Sequence, residues 1–566
     1  MKKTVVLIFV SVFFFAGCKP ANFISPAMEE TAIENQPVFS ATDDLERQLY
    51  ESFYTAARTV PNFGETRGAI LPHHLTAGYI PATFFKYLEK QKPSLVVILG
   101  PDHYFRGNGR PLTASGDWLT VFGQTRGSND LAERLKAGGF VAIDDAAVNA
   151  DQSISALAPF ITKSAPQAKL LPIIFDRNVP NEAVDRLAER LFVLLPADAV
   201  LVASVDFSHY LPWSTANFHD ELSQVAINNF DYARLPALDT DAPAGLRAFF
   251  RLMEKFEAKK IAFALSDNSA HLMNDSSLEE TTSYYAPFFV AGENVPEKTA
   301  SLLNFGDMML DRNVKKQIDL NGGADYIFEA LAGKENRFFQ GVDIISANLE
   351  GPFANFRRET TKEIAFCFNP SLLPTLKKYN FGIFSQANNH SLDMGSAGFE
   401  ESKKNLAAAG FDFYGSQYRV DAESLLVKRV GDYNIAFIGL NDTNSPIDLE
   451  KVRTLINQAR SGSVIPAKAG IQDENNMDSR WSLPRATTRG GNDNVGAEFV
   501  VINIHWGEEY KEISNNRQRF LAHALIDAGA DVIIGHHPHV IQEMEVYKNR
   551  PIFYSLGNFV FDQYFS

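Results

Sequence analysis

Near its C-terminal end the chain reads Gly535-His536-His537-Pro538-His539, which sets three imidazoles almost side by side. His537 and His539 are two residues apart, so in extended backbone they point to the same side. Five more residues in this half, Asp307, Glu350, Asn389, His390 and His505, lie at or shortly after the ends of short apolar runs. Carboxylate, amide and imidazole donors together suit divalent zinc, manganese or iron. Two such ions about 3.5–4 Å apart can share a carboxylate, activate water and clamp a phosphoryl oxygen.

The first half repeats the theme with fewer residues. His73 or His74, His103, Asp206 and His209 follow three separate apolar runs. Two or three imidazoles with a carboxylate can hold non-haem iron, copper or zinc. Of the twelve histidines, nine sit at such run ends, and only His219, His271 and His523 fall elsewhere. Chance placement does not give that distribution.

The elements that must position these side chains are short and apolar. Ser94–Leu99, Val200–Val205, Leu302–Phe305, Asp343–Ala347, Phe381–Ser385, Phe499–Ile504 and Val532–Ile534 read as strands. Near-continuous apolar runs of this length suit parallel strands covered on both faces. Between them lie amphipathic helices. In Asn181–Leu195 the residues Val184, Leu187, Ala188, Leu191, Leu194 and Leu195 keep helical spacing, with Asn181 as N-cap; Asn516–Ala528 repeats the pattern through Leu521, Ala524, Leu525 and Ala528. Alternating strands and helices predict an α/β fold in two domains, with the sites at the carboxyl ends of the strands.

Six stretches of the second half carry a family resemblance. They are Gly306-Asp307-Met308-Met309-Leu310, Asn348-Leu349-Glu350, Ala387-Asn388-Asn389-His390-Ser391-Leu392-Asp393, His505-Trp506-Gly507-Glu508-Glu509-Tyr510, Gly535–Val540 and Tyr554–Val560. Residues 300–566 thereby resemble the CapA family of capsule and poly-γ-glutamate synthesis, which is similar to calcineurin-like metallophosphoesterases, an α/β sandwich. The resemblance implies Asp307, Glu350, Asn389, His505, His537 and His539 as ligands of divalent metal ions, with Glu350 bridging. It implies that His390 contacts the scissile phosphate or protonates the leaving group. One departure is visible: Met309 stands where the wider superfamily places a histidine ligand.

Residues 45–293 resemble the Memo-like family, also called AmmeMemoRadiSam system protein B. The resemblance rests on Leu71-Pro72-His73-His74, Ala77-Gly78-Tyr79, Leu99-Gly100-Pro101-Asp102-His103, Ser204–Tyr210, Asp275-Ser276-Ser277 and Tyr284-Tyr285-Ala286. It implies a fold similar to class III extradiol dioxygenases and a metal site drawn from His73, His74, His103, Asp206 and His209. Gln152 replaces a frequent family histidine. The family's site cysteine falls near Ala270, where His271 is the nearest metal-capable residue.

The remaining features bear on location and partners. A formal net charge of −15 argues against a nucleic-acid partner, which needs a basic surface. Two cysteines, Cys18 and Cys367, exclude a disulfide framework. Lys2 and Lys3 precede the apolar run Val5–Phe15, which is shorter than the ~20 residues a membrane span needs. With Phe15-Ala16-Gly17-Cys18 it reads as a signal peptide over residues 1–18 whose end resembles a lipobox. Cys18 would then carry the lipid anchor, with 19–44 as a tether. Residues 461–494 are polar, aperiodic and glycine-rich, and read as a disordered insertion resembling the product of a mobile genomic repeat. The end at Ser566 reads as a truncation of the CapA-like domain. The expectation is an exported, lipid-anchored envelope protein whose second domain handles an envelope polymer or phosphoester substrate. The competing expectation is a non-enzymatic surface scaffold that binds polymer or partner proteins.

Overall fold

The computed structural model describes residues 6–9, 41–332, 338–462 and 496–563. The chain divides into two units, one of residues 16–297 and one of residues 298–566 together with the first fifteen. Both are mixed α/β. Cys18, where lipidation is expected, the expected tether up to residue 40, nearly all of the expected insertion and the last three residues lie outside the described residues. Within the stretch read as a leader, only the backbone of Val6–Phe9 is described; it runs parallel to Ser301–Asn304.

The first unit is built on a nine-stranded sheet. Its strands are β1 (Gly68–Leu71), β2 (Leu95–Pro101), β3 (Leu112–Thr113), β4 (Ala142–Ile143), β5 (Lys169–Phe175), β6 (Val200–Ser204), β7 (Phe207–Leu211), β8 (Lys260–Asn268) and β9 (Thr281–Val290). The order is β7-β9-β1-β6-β2-β5-β3-β4, with β8 paired to β9. The centre, β1-β6-β2-β5, is parallel. Alternate residues of these strands enter two cores. Val97, Leu99, Leu171 and Leu201 pack with the helix Asn181–Leu194, and Val96, Ile98, Leu170 and Val202 pack on the opposite face. That two-sided burial is why the strands read as continuous apolar runs. The helix buries Val184, Leu187, Ala188 and Leu191 as its spacing predicts, but Pro180 takes the N-cap and Asn181 becomes its first residue.

The second unit has two sheets. The first holds β10 (Ser301–Met308), β11 (Ile344–Leu349), β12 (Phe381–Ser385) and β13 (Asp412–Tyr414) in that order, all parallel. The second holds β14 (Leu425–Val430), β15 (Tyr433–Asn441), β16 (Phe499–His505), β17 (Val532–His536), β18 (Met544–Tyr547) and β19 (Arg550–Phe553), in the order β14-β15-β16-β17-β19-β18. A last strand, β20 (Asn558–Val560), returns to pair with β10. Leu302, Ile344 and Ile383 of the first sheet share one apolar layer with Ile435, Phe437, Val501 and Ile534 of the second. The other face of the second sheet packs on helices Leu449–Ser461 and Asn516–Asp527. The second helix starts with a capping box between Asn515 and Gln518. The arrangement is an α/β sandwich with strand ends of both sheets meeting at one rim.

The residues flanking 463–495 meet each other. Ala497 N–H donates to Ala459 C=O at 2.8 Å, and the Arg460 guanidinium reaches the Glu498 carbonyl at 2.6 Å. This junction precedes β16, whereas His505 ends that strand.

Candidate metal centres

In the second unit the strand ends bring one carboxylate pair to the centre. Asp307 is the penultimate residue of β10 and Glu350 follows β11; both are fully buried. A relay of amides aims Asp307. Asn388 Nδ2 donates to Asn348 Oδ1 at 3.1 Å, and Asn348 Nδ2 donates to Asp307 Oδ1 at 2.8 Å. His537 N–H donates to Asp307 Oδ2 at 3.1 Å. His536 Nδ1 and His539 Nδ1 stand 3.4 and 3.3 Å from the same carboxylate. Burial opposes its charge, but the His536 and His539 contacts outweigh burial and hold Asp307 well below the usual carboxylate range.

Glu350 has no such support. Among the described residues neither oxygen accepts a hydrogen bond, although His505 Nε2 lies 3.2 Å from Oε1. Burial and then the Asp307 charge push its carboxyl well above the usual range. His505 Nε2 also stands 2.9 Å from Asn389 Oδ1, so imidazole, amide and carboxylate converge on one point. Burial and the neighbouring His537 hold the His505 imidazole well below its ordinary value, in its neutral form. His537 lies with its ring 4.7 Å from that of His505, and its Nδ1 is buried without a hydrogen-bond partner among the described residues. Burial, then His539, brings its value down to about 4. For His539, burial is overcome by the Glu350 and Asp307 carboxylates, and the value rises to about 9.

The turn that carries these rings is strained. His537 and His539 hold φ of +97° and +58°, a left-handed region that side chains other than glycine rarely adopt. Gly535 permits the approach before it, since a Cβ there would sit 2.0 Å from the Tyr554 carbonyl oxygen.

A buried carboxylate with two unpaired oxygens costs free energy unless a cation pairs with it. The donors around Glu350 are those that hold divalent first-row ions. Asp307, Glu350 and His539 each offer a ligand atom within 4.8 Å of the others. His505, Asn389 and Glu350 form a neighbouring set. The residues present therefore fit a divalent metal centre, and Asp307, Glu350, Asn389, His505, His537 and His539 all come to the same rim. His390 is beside them, its Nδ1 2.7 Å from Asp393 Oδ2. His536 is occupied structurally, between Asp307 and Asn503 Oδ1, which is 3.2 Å from its Nε2. Met309 is buried, and its sulfur accepts the Asp311 N–H.

The first unit gathers a smaller cluster. His73 Nε2 lies 3.1 Å from Asp241 Oδ2 and 3.4 Å from Asp206 Oδ2, and His103 Nε2 lies 3.6 Å from Asp241 Oδ2. The other ring nitrogens are engaged. Ser204 donates its hydroxyl proton to Ser153 C=O, so its oxygen accepts from His73 Nδ1 at 3.1 Å. Asp151 accepts from His103 Nδ1 at 2.9 Å. Those partners hold both rings with Nε2 aimed inward, the orientation a metal ligand needs. Burial opposes the charged form of His103, but Asp151 and Asp241 raise it to about 10. Asp206, His209 and Asp241 form a second overlapping triad. His74 does not join: it is exposed, with Tyr284 Oη 2.7 Å from Nδ1 and Thr76 Oγ1 3.2 Å from Nε2. His271 is also exposed and pairs with Asp267. The position beside the two imidazoles is taken by Asp241, which sequence reasoning passed over because no apolar run precedes it.

Comparison with known proteins follows the same division. Residues 301–563 match the family model described as bacterial capsule synthesis protein PGA_cap. Residues 39–269 match the model described as Memo-like protein. The second half is similar to the PGA biosynthesis protein CapA of Bacillus subtilis (strain 168), 35% identical over 262 residues, which are 46% of this chain and 62% of that protein. It is also similar to the capsule biosynthesis protein CapA of Bacillus anthracis, 31% identical over 264 residues, covering 46% of this chain and 59% of the relative. The first half is similar to a MEMO1 family protein of Metallosphaera sedula, 30% identical over 189 residues, covering 32% of this chain and 64% of the relative. The chain thus spans 62% and 59% of the two capsule-related proteins it matches. The two resemblances carried by the sequence motifs hold, and the chain joins a Memo-like region, residues 39–269, to a PGA_cap region, residues 301–563.

Proposed function

We propose that the second unit is a metal-dependent phosphoester hydrolase acting in capsule, poly-γ-glutamate or other envelope polymer metabolism. The observation that carries this reading is Glu350, a buried carboxylate whose oxygens accept no hydrogen bond while Asp307, Asn389, His505 and His539 surround it. The names of the relatives support the polymer setting. Two bound divalent ions of manganese, zinc or iron would supply Lewis acidity and an acidified water. The chain's own part is positional. Asn348 and Asn388 fix Asp307, His505 aims Nε2 at Asn389 and Glu350, and His537 lies beside it. Asp393 holds His390 through Nδ1, which leaves Nε2 to give a proton to the leaving oxygen as the phosphorus–oxygen bond breaks.

In the first unit the reading is a separate divalent metal site at His73, His103 and Asp241, suited to iron, copper or zinc, with no substrate assigned. For the whole chain the reading is an exported protein, lipid-anchored through Cys18, facing the periplasm or the cell surface. A second reading, a polymer- or protein-binding scaffold without turnover, is favoured by Met309, which offers no nitrogen ligand.

The deciding experiment is hydrolysis of a bis-nitrophenyl phosphodiester by metal-loaded protein, against an Asn389→Ala, His390→Ala double variant. Turnover that the double variant loses supports the hydrolase. Equal background rates in both, with metal retained in the parent, would leave the scaffold.

A further inference from the structure

The strand residues leave one metal position short. Asp307, Glu350 and His539 provide three donors, and Met309, two residues after Asp307, is buried with its sulfur engaged. A second triad shares His539. One carboxylate oxygen of Glu509 and one ring nitrogen each of His537 and His539 lie within 4.8 Å of one another. Glu509 is exposed, unlike the two histidines.

Its position is built. Glu509 lies on the loop after β16, which turns at Gly507 with φ +85°; a Cβ there would sit 2.8 Å from the Gln518 amide. The next residue, Tyr510, has φ +62° and donates its N–H to Pro538 C=O at 2.8 Å. The Tyr510 ring lies 6.2 Å from that of His539, and its hydroxyl accepts from Gln563 Nε2 at 2.6 Å. The loop is therefore pinned directly to the His537–His539 turn, and the Glu509 carboxylate is held at its imidazoles.

We propose that Glu509 is a metal ligand that adds, from the loop after β16, an oxygen donor beside His537 and His539, at a rim where Met309, just after β10, offers no nitrogen. The inference rests on the metal-centre reading above and deepens it. Glu509 adds a carboxylate oxygen beside His537 and His539, and the rim as a whole then offers three carboxylates, Asp307, Glu350 and Glu509. Such oxygen-rich sets favour manganese over zinc relative to imidazole-rich ones.

The test counts Mn(II) bound to the full chain after chelator treatment. It is run in an Asp241→Ala parent so that the first unit's cluster does not contribute. Glu509→Ala and Glu509→Gln should each lose one ion, or weaken it by at least the roughly tenfold seen for lost outer-shell partners. Asn389→Ala should weaken the neighbouring ion instead. Because Glu509 is exposed, the metal-free variants should melt with the parent. Both Glu509 variants binding Mn(II) as the parent does would overturn the proposal. A parent that binds no Mn(II) would overturn this inference, and one that binds no Mn(II), Zn(II) or Fe(II) would refute the metal-centre reading as well.

Discussion

Glu350→Gln separates a residue kept for stability from one kept for a metal. The wild-type side chain is fully buried, its oxygens accept no hydrogen bond, and Asp307 is the nearest charge that disfavours ionisation. In metal-free protein the folded state holds this carboxyl above its ordinary value of 4.5. The folded chain then binds the proton more tightly than the unfolded chain does. Stability from this group is complete below about pH 4.5 and is lost as pH rises through the folded value. Glutamine removes that loss. An unsatisfied buried polar group costs about 1–3 kcal/mol, and more when charged. The metal-free Glu350→Gln protein should therefore melt higher at pH 7, by about 2–4 °C per kcal/mol for a domain of this size. With Mn(II) at a hundred times its dissociation constant, the wild type gains about 2.7 kcal/mol and the variant gains little, so their order reverses. Differential scanning fluorimetry at pH 5 and pH 7, with and without Mn(II), reads all four states. A metal-free variant that melts at or below wild type, and still gains the Mn(II) shift, would refute the argument.

Three further outcomes are expected. Gly535→Ala places a Cβ 2.0 Å from Tyr554 O and 2.5 Å from Trp506 Nε1; overpacking of this kind costs about 1–3 kcal/mol, and the variant should lose metal as well as melting temperature. Asp220, raised to about 7 by burial, makes the fold most stable below the unfolded carboxylate value and less stable as pH climbs to about 7. Asp220→Asn should flatten that slope and raise stability above neutral pH by on the order of 1–4 kcal/mol; urea titrations at two pH values check it. Asp241→Asn should lower iron or zinc content in the first unit, measured by elemental analysis of the full chain, while His74→Ala should leave it unchanged.

Much of this was legible in the residues because parallel strands buried on both faces admit little but apolar side chains. Val532–Ile534 and Phe499–Ile504 announce themselves that way, and the polar residues closing them are then conspicuous. Two kinds of residue escaped. Asp241 follows a short 3-10 turn, Leu235–Ala237, in a polar stretch, so nothing local separates it from an ordinary loop acid; only the fold sets it against His73 and His103. Glu509 lay inside a recognised motif, but an exposed glutamate reads as a solvated charge until Tyr510 is seen bonded to Pro538. Phe207-Ser208-His209 reads as a loop after a strand, yet it forms β7 against β9, with Ser208 and Tyr210 in left-handed backbone. Edge strands with irregular register leave no clean alternation to read.

The donors at the sandwich rim come from both sheets, and Asp307 is 230 residues from His537. The set of Asp307, Glu350 and His539 is complete only when the two sheets are docked. Binding by that set must then wait until the two sheets have docked. An ion at this centre would act as a late clasp on the fold, added after the slow non-local contacts that limit folding rate. Metal content per chain would then count correctly folded molecules, and a kinetic trace of ion uptake during refolding would time the docking of one sheet on the other.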